Sequence, residues 1–374
     1  MKKIPVSQPA LGPEEQKLVD KAIRTGWISY LGEYVTEFEE GFADFCGVKY
    51  GCSVSSGTAA LHLALLSLGI GSGDEVIVPA LTFVATANVV TFTGASPVFV
   101  DVREENFNID PEEIERAITK KTRAIIVVHL YGNPCDMDAI MSIARRHGLW
   151  VIEDCAEAHG AEYRGRRVGS FGKVGCFSFF GNKIMTTGEG GMVVTNNAAL
   201  RDTINMLKDH GSRGKRYHHP VIGYNYRLTN LQCAMGVAQL RKIDSLLEER
   251  RRISDLYDRY LQGVKGVTVP REMDECGRVC WLYSVLIEKE FGVTRDQLAV
   301  RLAAEGIDSR PFFIPMHQLT PYRSVKRFPV SESLSRRGIS LPTYNSLEEK
   351  TIRHICRTIK KNLAPSAQPR SGSL

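Results

Sequence analysis

Along the first two-thirds of the chain, apolar residues fall in short continuous runs at residues 75–78, 97–101, 124–130, 150–154, 176–180 and 192–195, separated by stretches with helical spacing. Continuous apolar runs indicate strands buried on both faces. Their alternation with helices predicts a parallel-rich sheet covered on both sides. The pattern changes near Arg241. Ile243, Leu246, Leu247, Ile253, Leu256, Tyr257 and Tyr260 recur at helical spacing with charges between them, which predicts a long amphipathic helix linking to a second domain. Residues 282–287 then read as a strand. Thr294 with Gln297, and Ser346 with Glu349, have capping-box spacing and predict two further helices, ending near Glu305 and Leu363. The expected organisation is a large domain over 1–240, a small C-terminal domain over 241–364 and a tail over 365–374. That tail has no apolar anchor and is expected to be disordered.

Composition narrows the field without naming a function. A chain of 374 residues, 43% hydrophobic and 24% charged, suits a globular protein large enough for two domains. Its formal charge of +6 is modest and carries no block of Lys and Arg with interleaved aromatics, so nucleic acid is not an expected partner. The most basic stretch carries Lys208, His210, Arg213, Lys215, Arg216, His218 and His219, which suits either a solvated loop or contact with a pyrophosphate. Nine scattered cysteines form no paired framework, which points to a reducing cytoplasm. Cys276 and Cys280 have ligand-like spacing but lack a second pair, so no metal site is expected. Met1-Lys2-Lys3 is followed by Pro5, Gln8 and Pro9 instead of an apolar core, so no signal peptide is read, and no apolar run has membrane-spanning length. Gly69-Ile70-Gly71-Ser72-Gly73 follows a helix and precedes a strand, the reverse of a dinucleotide fingerprint, and reads as a turn.

Three segments carry candidate chemistry. Lys183 follows a strand-like run and precedes the turn Thr186-Thr187-Gly188-Glu189-Gly190-Gly191, where glycines allow close backbone approach. Burial there would disfavour the ammonium and leave a nucleophile toward carbonyls. Asp154 ends the run Trp150-Val151-Ile152-Glu153-Asp154, at the strand edge where α/β folds bind ligands. An acid there could hold a proton on a pyridine nitrogen; it also suits a helix cap or a surface acid. Ser55-Ser56-Gly57-Thr58 opens a helix, a place for a phosphate or for an ordinary N-cap. In that order, a phosphate cradle, a ring acid and a Schiff-base lysine indicate pyridoxal phosphate.

The chain resembles the sugar-aminotransferase family of fold-type I pyridoxal-phosphate enzymes from Ile4 to about Leu363. The resemblance rests on Gly26-Trp27-Ile28-Ser29, Ser56-Gly57-Thr58-Ala59-Ala60-Leu61, Glu153-Asp154-Cys155-Ala156-Glu157-Ala158, the Lys183 run and Gly223-Tyr224-Asn225-Tyr226-Arg227-Leu228-Thr229. It implies a large domain with a mostly parallel mixed sheet and a smaller C-terminal α+β domain. It also implies that Lys183 bonds the cofactor and then shuttles a proton between the cofactor and sugar carbons. Asp154 would pair with the ring nitrogen, Phe83 would stack on the ring, and Gly57, Thr58 and Ser178 would hold the phosphate. Glu157 falls near the ring hydroxyl, where many relatives carry glutamine or histidine. Asn225 matches a phosphate donor contributed by the other subunit, which implies a homodimer with shared sites. Trp27, Ser29, Arg310 and His317 resemble nucleotide-sugar contacts. Phe179-Phe180-Gly181-Asn182-Lys183 looks most like the subgroup that moves an amino group from glutamate, leaving 2-oxoglutarate, to C4 of GDP-4-keto-6-deoxymannose. Open alternatives are another nucleotide- or acid-linked keto sugar, including C3 chemistry, and a silent binding protein on this fold. A related dehydratase is a further one, but it carries histidine where Lys183 stands.

Overall fold

The computed structural model describes residues 3–269 and 274–363; the tail expected over 365–374 lies outside the described residues. Nine strands form between Tyr50 and Thr195: β1 (Tyr50–Val54), β2 (Glu75–Pro79), β3 (Ser96–Val100), β4 (Thr122–Val128), β5 (Trp150–Asp154), β6 (Glu162–Tyr163), β7 (Arg166–Arg167), β8 (Val174–Ser178) and β9 (Gly191–Thr195). Seven of them make one sheet in the order β1-β9-β8-β5-β4-β2-β3. All neighbours are parallel except those involving β9, which runs against both β1 and β8. The mostly parallel sheet is therefore mixed, as the resemblance implied. Strand β1 was not among the expected runs because Gly51 and Ser53 interrupt its apolar pattern.

Alternation along the strands explains why both faces are covered. Val76, Val78, Ala124, Ile126 and Ile152 pack on one face with α3 (Gly57–Ser67) and α4 (Ala85–Phe92). Ile77, Ile125, Val127 and Val151 point the other way, against Ile114 and Ile140 of two further helices. Helix α3 is buried at every position from Ala59 to Leu65, so it lacks an amphipathic stripe and is held by the sheet rather than by its own polarity.

The C-terminal half builds a second sheet. Its strands are β10 (Val267–Thr268), β12 (Tyr283–Ile287), β14 (Gly338–Leu341) and β13 (Arg310–Pro311), in that order and antiparallel; β11 (Cys276–Gly277) instead pairs with β6. Helix α9 (Ile243–Leu261) is the expected long amphipathic helix, and its Ile253, Leu256 and Tyr257 enter the second core. Residues assigned by number to the large domain also reach this unit: Ile4 bridges Ile307, and the Val6 carbonyl accepts the Thr343 N–H. Thr294 and Gln297 form the expected capping box on α10 (Arg295–Ala304). Ser346 and Glu349 do not. Helix α12 (Glu349–Lys361) starts behind Glu348, with no side-chain cap, because Ser346 falls within a turn closed by the bond from Leu347 N–H to Tyr344 C=O.

Candidate active site

A cavity of about 350 Å³ lies at the carboxyl edge of the large sheet, closed on one side by the C-terminal unit. Strand β5 delivers Asp154 to it, β8 delivers Ser178, and the turns after β1 and β2 deliver Gly57, Thr58 and Phe83. Parallel strands ending together make such a crevice, because the loops leaving neighbouring strands diverge there.

Helix α3 opens onto the cavity. Ser56, in extended conformation, caps it by accepting the Ala59 N–H at 3.1 Å. The first-turn N–H groups of Gly57 and Thr58 have no intrahelical acceptor, and the helix dipole adds positive potential. A Cβ on Gly57 would stand 2.7 Å from Ser178 Cβ, so only glycine lets the serine close on the helix start. Two backbone donors and a hydroxyl thus converge in a cradle that a larger residue would fill, and this fits a phosphate group.

Asp154 is buried and accepts from Thr86 Oγ1 at 2.9 Å and from the Ala156 N–H at 3.2 Å. Burial pushes its carboxyl upward, opposed by those two bonds and by Lys183. Its neighbour Glu153 faces the other side of the strand and is saturated there. It accepts from the backbone N–H groups of Gly169, Phe171 and Gly172 and lies 3.2 Å from His129 Nε2. His129, Glu153 and Cys155 sit close enough to hold a metal ion. However, His129 Nδ1 accepts the Cys135 N–H, which puts the ring hydrogen on Nε2 toward Glu153. The cluster reads as a hydrogen-bonded brace for the end of β5.

Lys183 lies in the turn after β8 with its side chain 10% exposed, and its N–H bonds to the Phe180 carbonyl at 2.9 Å. Its Nζ lies 4.0 Å from Glu157 Oε1 and 3.9 Å from the centroid of the Trp281 ring. Burial lowers the lysine and raises Glu157, to about 7, while each group's charge opposes the other's shift. Both shifts favour the neutral forms, so this amine gives up its proton more readily than a solvated lysine and is the better nucleophile for it. The Tyr131 N–H fixes Glu157 Oε2 at 2.8 Å. Tyr131 itself has φ of 53°, a backbone strain maintained beside the reactive amine.

Phe83 presents a half-exposed ring to the cavity, tilted against Phe313 at 5.8 Å, and Arg310 enters from β13. The remaining expected residues are elsewhere. Trp27 and Ser29 use their carbonyls to hold Asn230 at the start of α8 (Asn230–Arg241), and the Trp27 ring is exposed. Asn225 is exposed, with its Oδ1 accepting from Arg227 at 3.2 Å. His317 is buried outside the cavity, 3.0 Å from Glu332, which Arg327 also clamps. That pairing occupies the histidine with α11 (Pro329–Arg337) instead of the crevice. Thr86, Tyr131 and Trp281 were not anticipated. Thr86 lies one helical turn beyond Phe83 and was the most accessible to pattern; Tyr131 and Trp281 merely flank apolar strands.

A sequence model of the DegT/DnrJ/EryC1/StrS aminotransferase family matches residues 9–360. The chain belongs to that family. It is 45% identical over 363 residues to the GDP-perosamine synthase of Escherichia coli O157:H7, covering 96% of this chain and 99% of that one. It is 42% identical over 337 residues to the UDP-N-acetyl-3-dehydro-alpha-D-glucosamine 3-aminotransferase of Acidithiobacillus ferrooxidans, covering 89% of each. Spr1654 of Streptococcus pneumoniae, assigned as a sugar aminotransferase and solved in a PLP form, superposes with a TM-score of 0.91 at 29% identity, over 96% of this chain and 98% of that one. This member of the aminotransferase family therefore has the fold-type I architecture and is a sugar aminotransferase of the pyridoxal-phosphate class. No described helix is long and apolar enough to cross a membrane.

Proposed function

We propose that this aminotransferase moves an amino group from glutamate to the C4 keto carbon of GDP-4-keto-6-deoxymannose, yielding GDP-perosamine and 2-oxoglutarate, as a cytoplasmic homodimer. The observation that carries the chemistry is the largely desolvated Lys183 amine sharing one cavity with Asp154 and the open start of α3. The choice of sugar is supported by the 45% identity to a GDP-perosamine synthase across nearly the whole chain.

Pyridoxal phosphate, when bound, supplies an aldehyde for amines to capture and a protonated ring that withdraws electrons. Gly57, Thr58 and Ser178 would hold its phosphate, with Asn225 of the second subunit as a further donor. The Asp154 carboxylate would keep the proton on the ring nitrogen, and Thr86 and Ala156 aim it. Phe83 would cover one ring face, and Glu157 would hold a proton near the ring hydroxyl. Lys183 would bond the aldehyde and, once released, carry a proton at Nζ. Arg310, Trp27 and Ser29 remain proposed nucleotide-sugar contacts, the latter two across the dimer. His317 would act only through the Glu332 pairing that holds it.

A second reading is amination at C3 of a different nucleotide sugar, favoured by the 42% identity to a 3-aminotransferase. The identities differ little, so identity alone does not select the carbon. Incubating the protein with glutamate and a panel of GDP- and UDP-linked keto sugars, reading product mass and the position of nitrogen, tests both. Product from the GDP-linked 4-keto sugar alone is expected. Preferential amination of a 3-keto sugar would replace the first reading with the second.

A further inference from the structure

Trp281 touches the reactive amine from a different part of the chain. The residue lies just before β12, is 4% exposed, and presents its ring face to Lys183 Nζ at 3.9 Å. Its indole Nε1–H donates to the Asn182 carbonyl at 2.8 Å, one residue before the lysine. Ser7 Oγ donates to the same carbonyl at 3.3 Å. The tryptophan is itself anchored. Its carbonyl accepts from Arg250 Nη1 at 2.9 Å, and that guanidinium also binds the Thr343 carbonyl and Asn345. Arg250 is fully buried on α9, so the interdomain helix is tied through one side chain to the residue under the lysine.

We propose that Trp281 is a positioning residue for Lys183: the indole face seats the free ammonium, and the indole N–H anchors the turn that carries it. A transaminating lysine must alternate between bonded and free states, and the free cation needs a place in a largely desolvated cavity. Two buried carboxylates face it, Glu157 and Asp154, both pushed upward by burial. His159 nearby is pushed down to about 3 by burial and stays neutral, and burial keeps the Tyr131 phenol neutral as well. A ring face attracts a cation without accepting a proton, so Trp281 can hold Lys183 without competing for the proton that the amine must move. An aliphatic residue would provide bulk without the quadrupole, and a carboxylate would take the proton.

The inference rests on Lys183 being the reactive amine of the proposed transaminase. Its test uses mono-, di- and tetrafluorinated tryptophan placed at position 281 of the full chain, stripped of cofactor. Fluorination weakens the ring's negative face with little change in shape and keeps the N–H. The rate at which Lys183 is acetylated by acetic anhydride, followed by peptide mass spectrometry across pH, reports its pKa. The profile should move stepwise to lower pH, by about one unit for the tetrafluorinated ring. An unmoved profile across the series overturns the seat. In Trp281→Phe, which keeps a ring but loses the donor, Schiff-base formation from added pyridoxal phosphate should slow about tenfold by absorbance. An unchanged rate overturns the anchor. Borohydride reduction of each reconstituted protein keeps the underlying reading separate: an adduct on another lysine would sink the role of Lys183, whatever the fluorination series shows.

Discussion

Asp154 and Asn225 belong to the same proposed site yet sit in opposite kinds of surroundings. Asp154 is 6% exposed, and its carboxylate is aimed by Thr86 and Ala156 of its own chain. Asn225 is exposed, and the segment before it turns apolar groups outward, with Tyr217 79% and Ile222 90% exposed. The floor of the cavity is thus complete within one chain. The proposed rim is different: Asn225, Trp27 and Ser29 lie outside the cavity of their own chain and could serve it only from a second subunit. Exposed apolar side chains beside the expected cofactor and sugar contacts are what a second copy of the chain would cover. The contrast separates effects that one chain should show from effects that need two.

The largest effect belongs to the floor. Lys183→Ala should reduce transamination roughly 10,000-fold or more, because nucleophile and proton carrier are lost together. Cofactor should still bind through the α3 cradle and Asp154, seen as retained phosphate after gel filtration. In the unmodified protein, borohydride should fix the cofactor on Lys183. A reduced adduct mapped to a different lysine would show that this floor is not the reacting centre.

Asp154→Asn comes next. The amide keeps the shape but removes the anion that would hold the ring proton, so turnover should fall about a thousandfold. The absorbance of bound cofactor should shift as the ring loses its proton. Near-normal turnover would mean that this carboxylate does not face the ring nitrogen, and the floor would have to be redrawn around Glu157.

How much of this was legible in the sequence follows the same division. Fold class, strand runs and the long helix α9 were readable because burial on both sheet faces writes continuous apolar runs, and a half-buried helix writes a period. Strand β1 and the Ser346 cap were misread where local chemistry and tertiary placement diverge. Lys183, Asp154 and Gly57 could be picked out because strand ends and helix starts are local features; Ser178 came only from the resemblance, and the structure gathers all four in one cavity. Trp281 was not legible. It lies 98 residues beyond Lys183, and the contact depends on how the C-terminal unit docks. His317 shows the converse: a histidine in a promising motif is held by Glu332, which the motif does not contain.

A smaller effect sharpens the account of the rim. If Asn225 completes the partner's site, a Lys183→Ala chain still offers a sound Asn225, and an Asn225→Ala chain a sound Lys183. A heterodimer then contains one site with both residues and one with neither. Coexpression with random pairing should recover activity toward about a quarter of wild type, given roughly half heterodimers and independent sites. The measurement needs Asn225→Ala alone to be clearly impaired, and one hydrogen bond to a charged phosphate is worth about 1.5–3 kcal/mol. Inactive singles whose proven heterodimers remain inactive would place the whole site within one chain.

The smallest effect returns to the floor and concerns stability in the absence of cofactor. Burial first, opposed by Lys183 and the Tyr131 N–H, raises Glu157 from its ordinary 4.5 to about 7 in the folded chain. The native state therefore binds that proton more tightly than the unfolded state does. Its stabilising contribution is full below 4.5 and declines as pH rises through about 7, beyond which it is lost. Asp154, also raised, adds a decline of the same sign, whereas the lowered Lys183 works oppositely. Glu157→Gln removes the titrating group and keeps an acceptor for the Tyr131 N–H. Urea midpoints measured between about pH 5 and about pH 8 should fall less steeply in this variant than in the unmodified chain. Asn225→Ala, which removes no titrating group, should leave the slope unchanged. Equal slopes in Glu157→Gln and the unmodified chain would mean that Glu157 ionises normally, and that the floor holds Lys183 as an ordinary ion pair instead of a pair shifted toward neutrality.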